Sequence, residues 1–202
     1  MSSKERKEQE KLELRKKILE AAKEILFEKG LDNLTMRAIG EKIDYSPTTI
    51  YLYFKNKAEL TTSLMEYAFE QLVEALGGLD QSLYVDNPVG MLKEGLCVYI
   101  RHGAANPHFY RMMTTSVLNH NDSSITLKKG TMNEQAFGIL AMGVQNCIDA
   151  GVVEVKDSKS TAAMLWAAIH GLTMILIDVP HFPLGDKDKF ITAYTDMLVN
   201  KL

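Results

Sequence analysis

The chain is short of several things, and each shortage closes a route. Two of its 202 residues are cysteines, Cys97 and Cys147, each in an apolar helical setting with no paired spacing. That rules against a disulfide framework and fits a reducing cytosol with ordinary packing. None of the five histidines stands in an H-E-x-x-H or E-x-x-H arrangement, so no metal site is expected and no cofactor is implied. Low-complexity tracts and repeats at a solenoid period are absent. The longest apolar stretch, residues 162–177, includes Trp166, His170 and Thr173 and falls short of the ~20 residues a membrane span needs. It reads as a buried helix, and no membrane partner is expected. The first eleven residues are charged and lack the apolar core of a signal peptide, so residues 1–10 are expected to form a flexible tail.

Strong net charge is lacking too. The formal value is −3, which argues against wholesale coating of nucleic acid. It is unevenly spread, since residues 1–60 carry 13 basic against 11 acidic side chains and the remainder 10 against 15. With 46% hydrophobic residues the chain can bury a real core.

What is present is helical periodicity from end to end. Leu14, Ile18, Ala22, Ile25 and Leu26 share a helical spacing that predicts a first helix over about 11–29, ended by Gly30. Thr35 caps a short second helix with Ile39 and Ile43 on one face. After Asp44-Tyr45, Ser46 caps a third that begins at Pro47, where the missing N–H is no loss. Asn56 followed by Glu59 reads as the cap of a long fourth helix, which stops near Gly77-Gly78. Pro88, Pro107 and the Asp122-Ser123-Ser124 run open three more, the last reaching Ala150-Gly151. Ser158 or Ser160 starts a strongly apolar helix, and residues 187–200 form the last. The expectation is an all-α fold of about nine helices.

Ser46 to Lys57 is the stretch with a chemical purpose. Ile50 and Phe54 lie four apart and supply a packing face, which leaves Thr48, Thr49, Tyr51 and Tyr53 to present hydroxyls. Lys57 sits in the first turn of the next helix, where free N–H groups also favour anions. Helix two, a tight turn and helix three have the spacing of a helix-turn-helix, whose second helix enters the major groove.

The run Thr35-Met36-Arg37-Ala38-Ile39-Gly40, together with Ser46-Pro47-Thr48-Thr49-Ile50-Tyr51-Leu52-Tyr53-Phe54-Lys55-Asn56-Lys57-Ala58-Glu59-Leu60, closely resembles the amino-terminal domain of TetR-type transcriptional regulators. The match covers about residues 11–65. The resemblance implies a helix-turn-helix DNA-binding domain over 11–56 and a ligand-binding and dimerisation domain over 57–202. It implies a homodimer on double-stranded operator DNA, a small-molecule inducer and no enzymatic activity. Position by position, Thr35 and Arg37 match residues that meet DNA, and Pro47, Thr48 and Thr49 match the tip of the recognition helix. Tyr51, Tyr53 and Lys57 match phosphate clamps. Tyr45, Ser46 and Lys55 complete the candidate surface. Arg37 is the expected base reader, since a guanidinium can pair bidentately with guanine. Two positions depart from the family, which usually has glycine where this chain has Asp44 and Thr48. Asp tolerates the left-handed turn conformation, and Thr48 alters the surface offered to the operator.

Trp166-Ala167-Ala168-Ile169-His170-Gly171 resembles the W-x-x-x-H-G signature of one class of carboxy-terminal domains in that family. Met91, Tyr99, His102, Phe109, Met112 and Met113 lie on the middle helices and, with Trp166 and His170, suit an adaptable, mainly apolar pocket with one or two polar anchors. Met164, Leu165, Leu172 and Ile175 are the expected dimer contacts. The reading is a ligand-responsive dimeric repressor. A helical enzyme or binding module whose head contacts protein rather than DNA is the alternative, and it predicts binding insensitive to salt.

Overall fold

A computed structural model of the protein describes residues 2–119, 130–200 and 202. Among them there are nine helices and no strand. They are α1 (Ser3–Lys29), α2 (Met36–Ile43), α3 (Pro47–Tyr53), α4 (Lys57–Gly77), α5 (Pro88–Ala105), α6 (Pro107–Asn119), α7 (Met132–Asp149), α8 (Ser158–Asp178) and α9 (Lys187–Val199). The expected all-α architecture is therefore observed, and most starts fall where a cap or a proline predicts them.

Two boundaries differ. Helix α1 starts at Ser3 rather than near residue 11, because Ser2 and Glu5 form a capping box in which each side chain meets the other's backbone N–H. The expected helix from Asp122-Ser123-Ser124 to Gly151 begins outside the described residues. Within them it is interrupted, since Gly130 has φ 85° and Thr131 is extended, and α7 starts only at Met132. A glycine at positive φ cannot continue a right-handed helix.

Of the described residues, those in Met1–Ala68 and His108–Asn121 form one compact unit, and those in Phe69–Pro107 and Asp122–Leu202 another. The first unit is built on side chains with essentially no exposure: Ile18, Ala22 and Leu26 from α1, Leu34 and Ile39 around α2, Ile50 and Phe54 of α3, and Leu60 and Leu64 of α4. Each large apolar side chain removed from water contributes about 1.5–3 kcal/mol, which is what holds so short a helix as α3.

In the second unit α5 packs on α7, α8 and α9 around Leu92, Leu96, Ile100, Val144, Leu165, Ile169, Leu172 and Ile191. Both cysteines are free and buried in it. The Cys97 thiol lies 3.2 Å from the Thr195 hydroxyl, and burial pushes the Cys147 thiol up. Packing is their role.

The link from α2 to α3 rests on Asp44, whose φ of 61° and ψ of 42° put it in the left-handed region. Asp accepts that conformation at a cost of about 1–2 kcal/mol, part of which the greater unfolded-state entropy of glycine cancels. Asp44→Gly is therefore expected to stabilise the chain by about 0.5–1 kcal/mol. A higher urea midpoint at unchanged m-value is the measurement, and a lower midpoint would refute it.

Candidate nucleic-acid interface

Local chemistry fixes the ends of α3. The Ser46 hydroxyl accepts from the Thr49 N–H at 3.1 Å and lies 2.9 Å from the Thr49 hydroxyl, with Pro47 in the first turn. At the far end the Phe54 N–H donates to the Ile50 carbonyl, and the Phe54 ring is fully buried. The Arg15 guanidinium covers that ring at 4.1 Å from its centroid and points one nitrogen to the Ser63 hydroxyl of α4 at 3.5 Å.

Because Ile50 and Phe54 face inward, the opposite surface is left to solvent. Tyr45, Ser46, Pro47, Thr48 and Tyr51 are exposed, while Thr49 and Tyr53 are half-buried. Leu52 joins this surface at 77% exposure. It is absent from the residues expected there, although its i+4 spacing from Thr48 marks the same face. An aliphatic side chain there fits a thymine methyl.

The flanking positions are tied down. Lys17 donates to the Ile43 carbonyl at 3.4 Å and lies 5.4 Å from the Tyr45 ring, which steadies the tyrosine from below. Asn56 accepts from the Glu59 N–H, and the Glu59 carboxylate accepts from the Lys55 N–H, both at 2.9 Å. Lys57 donates to the Leu31 carbonyl at 3.1 Å, so its ammonium is held at the surface rather than free to wander. Thr35 spends its acceptor on the Ala38 N–H at 3.0 Å and keeps its O–H proton for another partner. Arg37 is paired with Glu41 at 2.8 Å, and that carboxylate raises the guanidinium's pKa further. To read a base Arg37 must leave Glu41, an exposed pair of small strength.

Elsewhere the candidate residues divide. Phe109, Met112 and Met113 on α6 belong to the unit that carries α3. Phe109 meets Tyr67 at a ring separation of 6.0 Å, and the two methionines are buried. Met91, Tyr99 and His102 on α5, with Trp166 and His170 on α8, belong to the other unit. Trp166 stacks on His170 at 5.1 Å and 17°, yet it is 44% exposed and stands on the outer side of α8. Burial holds the His102 and His170 imidazoles below their usual value, which favours the neutral form of each. Of the expected dimer contacts, Leu165 and Leu172 are taken up by their own subunit's core, whereas Met164 is 64% exposed and Ile175 half-buried. A helix apolar all round does not disclose which side its own fold claims, and for that reason the two leucines face the core rather than a partner.

Residues 18–64 match the family model described as bacterial regulatory proteins, tetR family. Over 202 residues the chain is 22% identical to the HTH-type transcriptional regulator TtgR of Pseudomonas putida, across 96% of this chain and 95% of that one. A protein of unknown function from Rhodococcus sp. RHA1 shares the fold with a TM-score of 0.79 at 19% identity, covering 94% and 95% of the two chains. The regulator FadR of Bacillus subtilis, solved in complex with stearoyl-CoA, does so with a TM-score of 0.69 at 20% identity, covering 92% and 98%.

Proposed function

Since the chain is a TetR-family DNA-binding transcriptional regulator, we propose that it acts as a homodimeric repressor, released from its operator by a mainly apolar small molecule. The observation that carries the DNA side of this reading is the cap-fixed helix α3. Its buried Ile50 and Phe54 leave Thr48, Tyr51 and Leu52 facing outward as one surface. Thr48, Thr49, Leu52 and, once freed from Glu41, Arg37 face base edges. Tyr45, Ser46, Tyr51, Tyr53, Lys55, Lys57 and Thr35 hold phosphates, which position the protein without reading sequence.

The ligand is assigned to the second unit, where α5, which carries Tyr99 and His102, packs on α8, which carries His170. Neutral imidazoles and a phenol can anchor one or two polar groups while methionines such as Met91 accept an apolar chain. The stearoyl chain of the stearoyl-CoA held by Bacillus subtilis FadR is an apolar chain of that type. Release follows if the ligand prefers a body shape that displaces α4, because α4 starts three residues after α3 and Arg15 bridges Phe54 and Ser63.

The test is a gel shift on the DNA upstream of the chain's own coding region at two salt concentrations. Binding should weaken by about 10³-fold or more between 50 and 200 mM salt. Tyr51→Phe and Lys57→Ala should weaken all sequences alike, while Arg37→Ala should relax preference at particular bases. Salt-independent binding would favour a protein partner and overturn the DNA assignment. Adding stearoyl-CoA and related long-chain acyl compounds tests release, and operator affinity unmoved by the whole panel would remove the apolar-ligand assignment.

A further inference from the structure

We propose that the first three turns of α1 form a second, sequence-independent DNA contact, in which Lys4, Lys7 and Lys11 grip phosphates flanking the operator. This rests on the DNA-binding reading above and extends its footprint. Residues 4–13 are exposed throughout, so this part of the helix packs on nothing described. It is nevertheless held as a helix by local bonds: the Ser2/Glu5 capping box, the Arg6–Glu10 pair at 3.3 Å and the Gln9–Glu13 bond at 3.0 Å. A free helix maintained this way needs another reason for its sequence.

The reason lies in how its charges are sorted. At 100° per residue, Lys4, Lys7 and Lys11 fall within about 40° of Ile18, whereas Glu5, Glu8, Glu10 and Glu13 lie at least about 80° away. The lysines thus continue the stripe that Ile18, Ala22 and Ile25 bury further along α1. Glu5, Glu10 and Glu13 are engaged with Ser2, Arg6 and Gln9, and among the described residues none of the three lysines has an ion-pair partner. The stripe also points to the right neighbourhood. Arg15 meets Phe54 next to Tyr53, and Lys17 meets Tyr45, so the two tyrosines assigned to phosphates sit level with residues 15–17. At 1.5 Å per residue, Lys11, Lys7 and Lys4 stand about 6, 12 and 16 Å beyond Arg15 and within about 80° of it around the helix. That span of about 10 Å matches about three phosphates of one strand at 3.4 Å each along the axis.

The experiment compares the full-length protein with a Lys4→Gln, Lys7→Gln, Lys11→Gln variant on a 40-base-pair random duplex and on the upstream DNA, over 50–200 mM salt. Glutamine keeps helix propensity, so circular dichroism should not change. A second variant with Lys156, Lys187 and Lys189 each changed to Gln removes the same charge from exposed sites in the other unit. Three contacts per protomer, six per dimer, should lower the slope of log K against log salt by about 5 in the first variant. The second variant should keep the wild-type slope. Equal slopes in all three proteins would overturn the stripe while leaving the DNA-binding reading intact. A wild type that binds neither duplex would overturn both.

Discussion

Gly40→Ala is expected to abolish operator binding and to destabilise the unit that carries α3 by about 2–3 kcal/mol. A β-carbon at position 40 would lie 2.5 Å from the Tyr45 carbonyl oxygen and 3.4 Å from the Pro47 nitrogen. Both are backbone atoms, so no rotamer change relieves the clash. The same two segments are bonded, since the Tyr45 N–H donates to the Gly40 carbonyl at 2.9 Å. Pushing them apart breaks that bond and moves Ser46, whose hydroxyl caps α3, and with it Tyr45 and the tip at Pro47 and Thr48. Gly138 of α7 is the internal comparison, because a β-carbon there meets nothing within 4 Å. Gly138→Ala should be neutral or stabilise by up to about 1 kcal/mol, the ordinary preference of a helix for alanine. Urea denaturation of both variants, with a gel shift at a temperature where each is folded, checks the contrast. If Gly40→Ala bound DNA like the wild type, close approach of α2 to the turn would not be what sets the angle of α3.

That glycine also marks where sequence reading stops. Ser46, Pro47, Asn56 and Glu59 are legible because caps act within four residues, and the structure has their bonds where the spacing puts them. The inward face of α3 is legible for the same reason, since Ile50 and Phe54 repeat at helical spacing. Asp44 can be assigned a left-handed conformation because a residue type and a turn position suffice to argue it. Gly40 carries no such local signal. Its role appears only when the turn folds back onto α2. Arg15 is the same kind of case, a charge on the buried stripe whose purpose depends on a ring 39 positions away, with a buried terminal nitrogen lacking a partner among the described residues. The pairing of Arg37 with Glu41 is readable in principle from its i, i+4 spacing, but the resemblance to a DNA-contacting position favours the other role for the guanidinium.

The body is less legible than the head because α8 is apolar on nearly every side. Its 21 residues have a mean hydropathy of 1.6 in their most apolar window, yet only 33% of that window is buried within the subunit. Composition alone does not decide which side faces the core. The structure divides the helix: Thr161, Ala162, Leu165, Ile169, Leu172 and Thr173 face inward, while Met164, Trp166 and Ala167 remain exposed. On α9, whose Tyr194 hydroxyl donates to the Ala168 carbonyl of α8, Met197 is 54% exposed. Adjacent helices thus leave large apolar side chains exposed, the kind of patch that marks an interaction surface.

On the proposed function that covering is a second copy, because a helix-turn-helix reads two half-sites ~34 Å apart through a two-fold partner. Met164→Glu combined with Met197→Glu is therefore expected to convert the protein to a monomer, measured by sedimentation. A buried, unpaired carboxylate on each side of a self-complementary interface costs several kcal/mol, enough to outweigh the gain from apolar contact. Operator affinity should fall about 10²–10⁴-fold, the factor by which linking two heads raises the binding of the second. Leu83→Glu, at an equally exposed apolar side chain outside α8 and α9, should leave both properties unchanged. Leu165→Ala separates the two sides of α8. It should cost about 2–5 kcal/mol of folding stability through the cavity it leaves, with the surviving folded protein still dimeric. A double-glutamate protein that remained a dimer would place the subunit interface on some other surface, and with it the distance between the two copies of α3.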